Sequence, residues 1–142
     1  MAVRKVLIYA TSAKGLLVFD EPEFPHVALQ VPGGTVEPDE PIEAAALREF
    51  EEETGLALSL PPTLIETVDY SFTRDGVMHT HRRSYFHVQL GNDLPTEWRH
   101  HEMMAFDGSP PIEFRFFWLP IQQAKSSLGY GMDALLNRLA GV

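Results

Sequence analysis

Short apolar runs alternate with polar turns along the chain. Val3 to Tyr9 and Leu16 to Phe19 are rich in apolar and aromatic residues, and the intervening Thr-Ser-Ala-Lys-Gly predicts a hairpin. Val27 to Val31 predicts a third strand, ending in the glycine pair Gly33-Gly34. From about Pro41 to Thr54 the period changes: Ala46, Leu47 and Phe50 share one side of a helix. Pro41 suits its first turn and Gly55 its C-terminal stop. Leu64 to Phe72 and Arg82 to Leu90 predict two strands joined around the turn-forming Asp75-Gly76. In the second, Ser84, Phe86, Val88 and Leu90 alternate with Arg83, Tyr85, His87 and Gln89, which predicts one core face and one polar face. Phe114 to Leu119 is an aromatic strand stopped by Pro120, and Met132, Leu135, Leu136 and Leu139 recur at helical spacing after Gly129 and Gly131. Together these elements predict an α/β/α sandwich around a mixed β-sheet, one domain over residues 1–142.

Gly91 to Pro111 shows neither period and is long for a connection. Such segments are usually functional. Trp98 offers a surface for a nucleobase, while Met103, Met104 and Phe106 offer one to a second subunit. The segment is therefore read as a substrate lid or a homodimer contact.

Charge sharpens the picture at one place. The net charge is −9, and residues 37 to 53 hold eight acids against one arginine, so most of the acidity is local. Glu49, Glu52 and Glu53 fall within an arc of about 100° on the predicted helix. Like charges at these spacings repel, and folding alone does not call for them. A hard cation such as Mg²⁺ or Mn²⁺ does, because it prefers oxygen ligands. Asp39 and Glu40 stand at the positive end of the helix dipole. The paired glycines allow backbone to approach a metal or phosphate closely.

The stretch Gly34 to Leu56, GTVEPDEPIEAAALREFEEETGL, resembles the signature of the Nudix hydrolases, G-x5-E-x7-R-E-U-x-E-E-x-G-U, where U is bulky and apolar. Every fixed position is matched: Gly34, Glu40, Arg48, Glu49, Phe50, Glu52, Glu53, Gly55 and Leu56. The resemblance implies the sandwich fold and hydrolysis of a nucleoside diphosphate linked to another group X. It implies Glu49, Glu52 and Glu53 as ligands of Mg²⁺ or Mn²⁺, joined by a backbone carbonyl of Gly33 or Gly34. Arg48 and Glu40 are implied as supporting residues, and Glu52 is the glutamate assigned here as general base. A further acid beyond the signature is expected from Glu97, Glu102 or Glu113.

The substrate is less legible. No proline stands about fifteen residues beyond Leu56, as in many ADP-ribose hydrolases, since Ser71 is there. No string like that of the NADH hydrolases occurs, and Tyr70 lies near the tyrosine of many dinucleoside polyphosphate hydrolases. Arg74, His79, His81, Arg82 and Arg83 gather the basic residues outside the signature, so Arg82 and Arg83, with Trp98, are the substrate candidates. An acidic chain does not bind polymeric nucleic acid broadly, which favours a small nucleoside diphosphate derivative: a nucleotide sugar, a nucleoside triphosphate or a dinucleoside polyphosphate. The alternatives are a nucleotide sensor without turnover and a hydrolase of a non-nucleotide diphosphate. The absence of cysteine excludes disulfides and thiolate chemistry. No apolar run reaches the length of a membrane span, so a cytoplasmic protein is expected.

Overall fold

The computed structural model describes residues 2–102 and 110–139, apart from the side chain of Glu102. Val3–Ser12 (β1) is apolar on both faces over most of its length and forms the centre of a mixed sheet. Gly15–Asp20 (β2) returns from it through a two-residue turn, with Ser12 paired to Gly15. Gly33–Thr35 (β3), Ile42–Thr54 (α1), Thr63–Arg74 (β4), Val77–Gln89 (β5), Glu97–Glu102 (β6), Ile112–Leu119 (β7) and Ile121–Ser127 (α2) follow, and a single 3₁₀ turn spans Leu136–Arg138. The strand order is β4-β5-β1-β2-β7-β6, with β3 also paired to β1. β1 and β5 run parallel, and the other pairs are antiparallel.

β1 is shared by two strands on one side. Lys5 to Leu7 pair with β3, and Thr11 and Ser12 pair with β2. Between them the Ile8 amide donates to the Pro32 carbonyl at 2.8 Å. The sheet therefore forks, and the Gly33-Gly34 backbone lies in the fork.

Each face of the sheet is covered. Ala45, Ala46 and Phe50 of α1 pack on Val6, Ile8, Phe86, Val88, Phe114 and Phe116. On the other face Ala124 of α2 and Met132, Leu135 and Leu136 cover Leu7, Tyr9, Leu16, Val18 and Tyr85. The Tyr9 hydroxyl fastens this layer by donating to the Met132 carbonyl at 2.6 Å and accepting from the Leu135 amide at 3.2 Å. The result is the expected α/β/α sandwich. Among the described residues, no helix is long and apolar enough to cross a membrane.

Four expectations need correction. Val27 to Val31 is not a strand: Gln30 bridges Phe19 and Leu29 bridges Leu128, one pairing each. Gly91 to Pro111 is not a continuous loop, because β6 forms an edge strand within it; Met103, Met104 and Phe106 lie outside the described residues. The predicted polar face of β5 is largely interior, with Tyr85 and Arg83 buried as deeply as Ser84 and Val88. The C-terminal helix is instead a run of turns and one 3₁₀ turn. Its apolar residues still reach the core, so the spacing identified the buried side chains but not the backbone that carries them.

Candidate active site

α1 begins directly after Pro41, whose missing N–H costs nothing at a helix start. It ends at Gly55, left-handed at φ 79°, whose amide closes on the Glu51 carbonyl at 3.0 Å. Two side chains from β6 hold other carbonyls of the last turn. His100 Nε2 donates to the Glu52 carbonyl at 2.9 Å, and Trp98 Nε1 donates to that of Thr54 at 3.0 Å. These carbonyls lack partners within the helix. The strand missed in the sequence thus anchors the end of the helix that carries Glu52 and Glu53.

Arg48 organises the acids around it. Its Nε and Nη2 donate to the two Glu40 oxygens at 2.8 Å each, a bidentate pairing. Its Nη1 donates to Glu49 at 2.8 Å and to Glu52 at 3.4 Å, while Nη2 also reaches the Thr35 carbonyl at 3.2 Å. Glu40 further accepts from the Glu37 amide at 3.0 Å. The Arg48 bond, then the Glu37 amide, holds the Glu40 carboxyl down at about 2. Burial opposes that shift only weakly. The Arg48 guanidinium is raised in turn, chiefly by Glu40.

A stability signature follows from Glu40. Because its folded value is depressed, its contribution is present above the ordinary carboxylate range and is lost as pH falls from about 4.5 towards 2. Denaturant melts of the wild type and Glu40→Gln should therefore differ most above pH ~5 and converge by pH ~2. A gap that does not change with pH would remove Glu40 as a charged partner of Arg48.

The glycine pair meets the carboxylates at the fork. The Gly33 amide donates to Glu53 at 3.0 Å. A Cβ on Gly34 would lie 2.1 Å from Glu49 Oε2, so only glycine admits the Glu49 carboxylate there. Among the described residues, no three His, Asp or Glu side chains as placed gather closely enough to hold an ion. The donors nevertheless fit a hard divalent cation. They are carboxylate oxygens from one helix face beside a backbone bare of side chains.

Beside this group lies a cavity of about 530 Å³. Gly33, Gly34 and Glu53 line one side, and Lys5, Tyr70, Phe72, Arg74, His81 and Arg83 line the other, with Tyr130 also in the lining. The fork lets the Glu53 carboxylate and the opposite face of the sheet share one space. Register explains the choice of side chains. Tyr70 opposes His81 and Phe72 opposes His79 across β4 and β5, and Lys5 opposes Arg83 across β1 and β5. The pleat sends Arg82 to the other face, where it pairs with Asp69 at 3.1 Å.

The substrate candidates therefore separate. Arg83 lines the cavity; Arg82 does not. Trp98 is packed parallel to Phe116 at 5.3 Å behind α1 and is also outside the cavity. Its place as an aromatic wall is taken by Tyr70 and Phe72. Glu97 pairs with Arg115 at 3.7 Å, and Glu113 pairs with Arg99 and lies 3.7 Å from His101, all along the β6–β7 edge. The Glu102 side chain lies outside the described residues. Lys5, Phe72 and Tyr130 were not singled out in the sequence. Lys5 did carry a signal, since strand parity puts it on the same face as Leu7 and Tyr9.

A family model described as the NUDIX domain matches residues 1–139. The chain belongs to the NUDIX family. Family membership makes it a pyrophosphohydrolase of the NUDIX type, and divalent cations are what NUDIX hydrolases in general use. Solved structures similar to it include the MutT protein of Bacillus halodurans (TM-score 0.68, 18% identity, covering 99% of this chain and 83% of that one). The MutT NUDIX hydrolase of Burkholderia pseudomallei (0.65, 20%, 99% of each chain) and the Ap4A hydrolase of C. elegans (0.60, 20%, 99% and 97%) are also similar. At these identities the likeness shows the fold. No curated protein sequence matches the chain. The NUDIX signature spans the end of β3, all of α1 and its C-terminal glycine, which are the elements gathered at the fork.

Proposed function

We propose that the protein hydrolyses the diphosphate linkage of a small nucleoside diphosphate derivative in a reaction that requires Mg²⁺ or Mn²⁺. The observation that carries this reading is the shared cavity: Glu53 of α1 and the Gly33-Gly34 backbone on one side, cations and aromatic rings on the other. In this assignment Glu49, Glu52, Glu53 and the Gly34 carbonyl hold the cation. The cation, when bound, neutralises phosphate oxygens and lowers the pKa of the attacking water.

The chain's own residues supply the rest. Arg48, fixed by Glu40, keeps Glu49 at a set position on the helix face. Glu52, exposed and held only at 3.4 Å by Arg48, is free to turn towards a water and take its proton as the water attacks phosphorus. Tyr70 and Phe72 provide flat apolar surface for a base or ribose. Arg83 donates to the substrate's phosphate oxygens.

The test is phosphate release from nucleoside triphosphates, nucleotide sugars, ADP-ribose, NADH and dinucleoside polyphosphates, with coupling phosphatases and with Mg²⁺, Mn²⁺ or EDTA. One preferred substrate, silenced by EDTA, is the expected result. Nucleotide binding without turnover under every metal condition would make the protein a sensor. Silence without binding would point to a diphosphate that carries no nucleoside.

A further inference from the structure

Arg83 is an unusual buried cation. It is 5% exposed, yet its bonds go to neutral oxygens: the Tyr130 carbonyl at 2.6 Å and the Tyr85 hydroxyl at 3.4 Å. Its guanidinium also lies 3.8 Å from the centre of the Tyr70 ring. Arg48, Arg82, Arg99, Arg115 and Arg138 all pair with carboxylates; among the described residues Arg83, Arg74 and Lys5 of the cavity do not, nor do Arg4, Lys14 and Lys125 outside it. A buried charge without an opposite charge is costly. Acids are not scarce in a chain of net charge −9. Lys5 stands directly opposite Arg83 across the β1–β5 ladder, which places like charges side by side. Among the described lining residues the only acid is Glu53, which comes from α1 across the fork.

The cations are also spread out. Arg83 is level with Val68 of β4, and the Arg74 guanidinium lies 5.3 Å from the centre of the Phe72 ring, four residues further along that strand, roughly 13 Å at ~3.3 Å per residue. A single phosphate beside Arg83 would leave Arg74 unused. Burial, with the neighbouring Lys5, Arg83, His79 and Arg74, lowers the pKa of His81, in keeping with a positive field over this face.

We infer that this face binds a chain of phosphates, so that the substrate class is a nucleoside polyphosphate or dinucleoside polyphosphate rather than a nucleotide joined to a neutral sugar. The inference rests on the hydrolase reading only for placing the scissile bond beside α1. Among the described residues Arg74 and Arg83 have no carboxylate partner and Lys5 feels only Glu49 and Glu53 from α1, so the phosphate chain supplies the negative charge this face is short of.

Calorimetric binding of inorganic tripolyphosphate in EDTA tests the face without turnover. The wild type should bind it at least about tenfold more tightly than orthophosphate. Lys5→Gln and Arg74→Gln should each weaken binding by about tenfold, the scale of one bond to a charged group. Arg83→Gln should do the same if it folds. Arg82→Gln removes the same charge from the opposite face and should change binding less than twofold. In parallel, kcat/KM with Mg²⁺ should favour a nucleoside tetraphosphate or triphosphate over a nucleotide sugar of the same base, and Arg74→Gln should shrink that ratio. Failure to bind tripolyphosphate, or equal losses from Arg82→Gln and Arg74→Gln, overturns the inference. Preferred hydrolysis of the sugar overturns it too, while leaving the hydrolase reading intact. Tripolyphosphate binding with the expected variant pattern, but no hydrolysis of any substrate, would support the anion-binding face and remove the hydrolase reading.

Discussion

Glu53→Gln is expected to lower turnover by about a hundredfold or more while leaving the fold intact. Glutamine keeps the size of the side chain and the oxygen that accepts the Gly33 amide at 3.0 Å, so the link between α1 and β3 survives. What is lost is one of three like charges at i, i+3 and i+4 on a single helix face. Their repulsion opposes folding, so the melting temperature should hold or rise slightly. Loss of one group stabilising charge in a transition state costs about 10²–10³ in rate, or roughly 3–4 kcal/mol. The Mn²⁺ concentration needed for half-maximal rate should rise as well. Unchanged turnover with unchanged metal dependence would remove Glu53 from the metal site.

The parts of the structure most legible in the sequence are those whose backbone geometry admits few residue types. Pro41 and Gly55 bracket α1 to within one residue because proline's fixed φ suits the helix start and glycine takes the left-handed turn at its end without a steric cost. Asp75-Gly76 locates the β4–β5 turn for the same reason, with both residues at positive φ. By contrast β6, EWRHHE, is a polar edge strand paired only to β7, and its order comes from Trp98 and His100 reaching α1. No local period announces such a strand. The seven-residue α2 is too short to show helical repetition, while the apolar spacing after Gly131 belongs to turns. Tyr130 and Gly131 both have positive φ, which breaks any helix there before Met132.

The candidate site divides along similar lines. The acids of α1 could be grouped from spacing alone, because a helix fixes which side chains share a face. The cavity wall could not, because it is assembled from strands far apart in the chain. Arg82 and Arg83 look equivalent as neighbours in a basic cluster. One residue of pleat places Arg82 against Asp69 in solvent and Arg83 beneath Tyr70 in the cavity. Lys5 joins Arg83 only through the parallel β1–β5 register, a pairing across 78 residues. Trp98 was a reasonable stacking candidate by residue type, but tertiary packing uses it to hold the helix instead.

The second large effect concerns the fork, where adjacent glycines should fail in different ways. A Cβ on Gly33 would lie 2.3 Å from the Val6 carbonyl oxygen, an atom held in the sheet. Relief requires β3 to move off β1, so Gly33→Ala should destabilise the protein by about 3 kcal/mol, the upper end of ordinary overpacking. Activity should fall with the folded fraction and with the displaced Glu53 contact. In Gly34→Ala the clash is with the Glu49 carboxylate at 2.1 Å, the end of a flexible side chain. That group can rotate away at little cost, so stability should change by less than about 1 kcal/mol. The carboxylate would nevertheless be driven from the place it shares with the glycine backbone, and turnover should fall by tenfold or more with a weaker response to Mg²⁺. Denaturant melts and metal titrations on the two variants separate the effects. Full activity in Gly34→Ala would mean that Glu49 works from elsewhere; a wild-type melt for Gly33→Ala would mean that β3 is free to slide along β1.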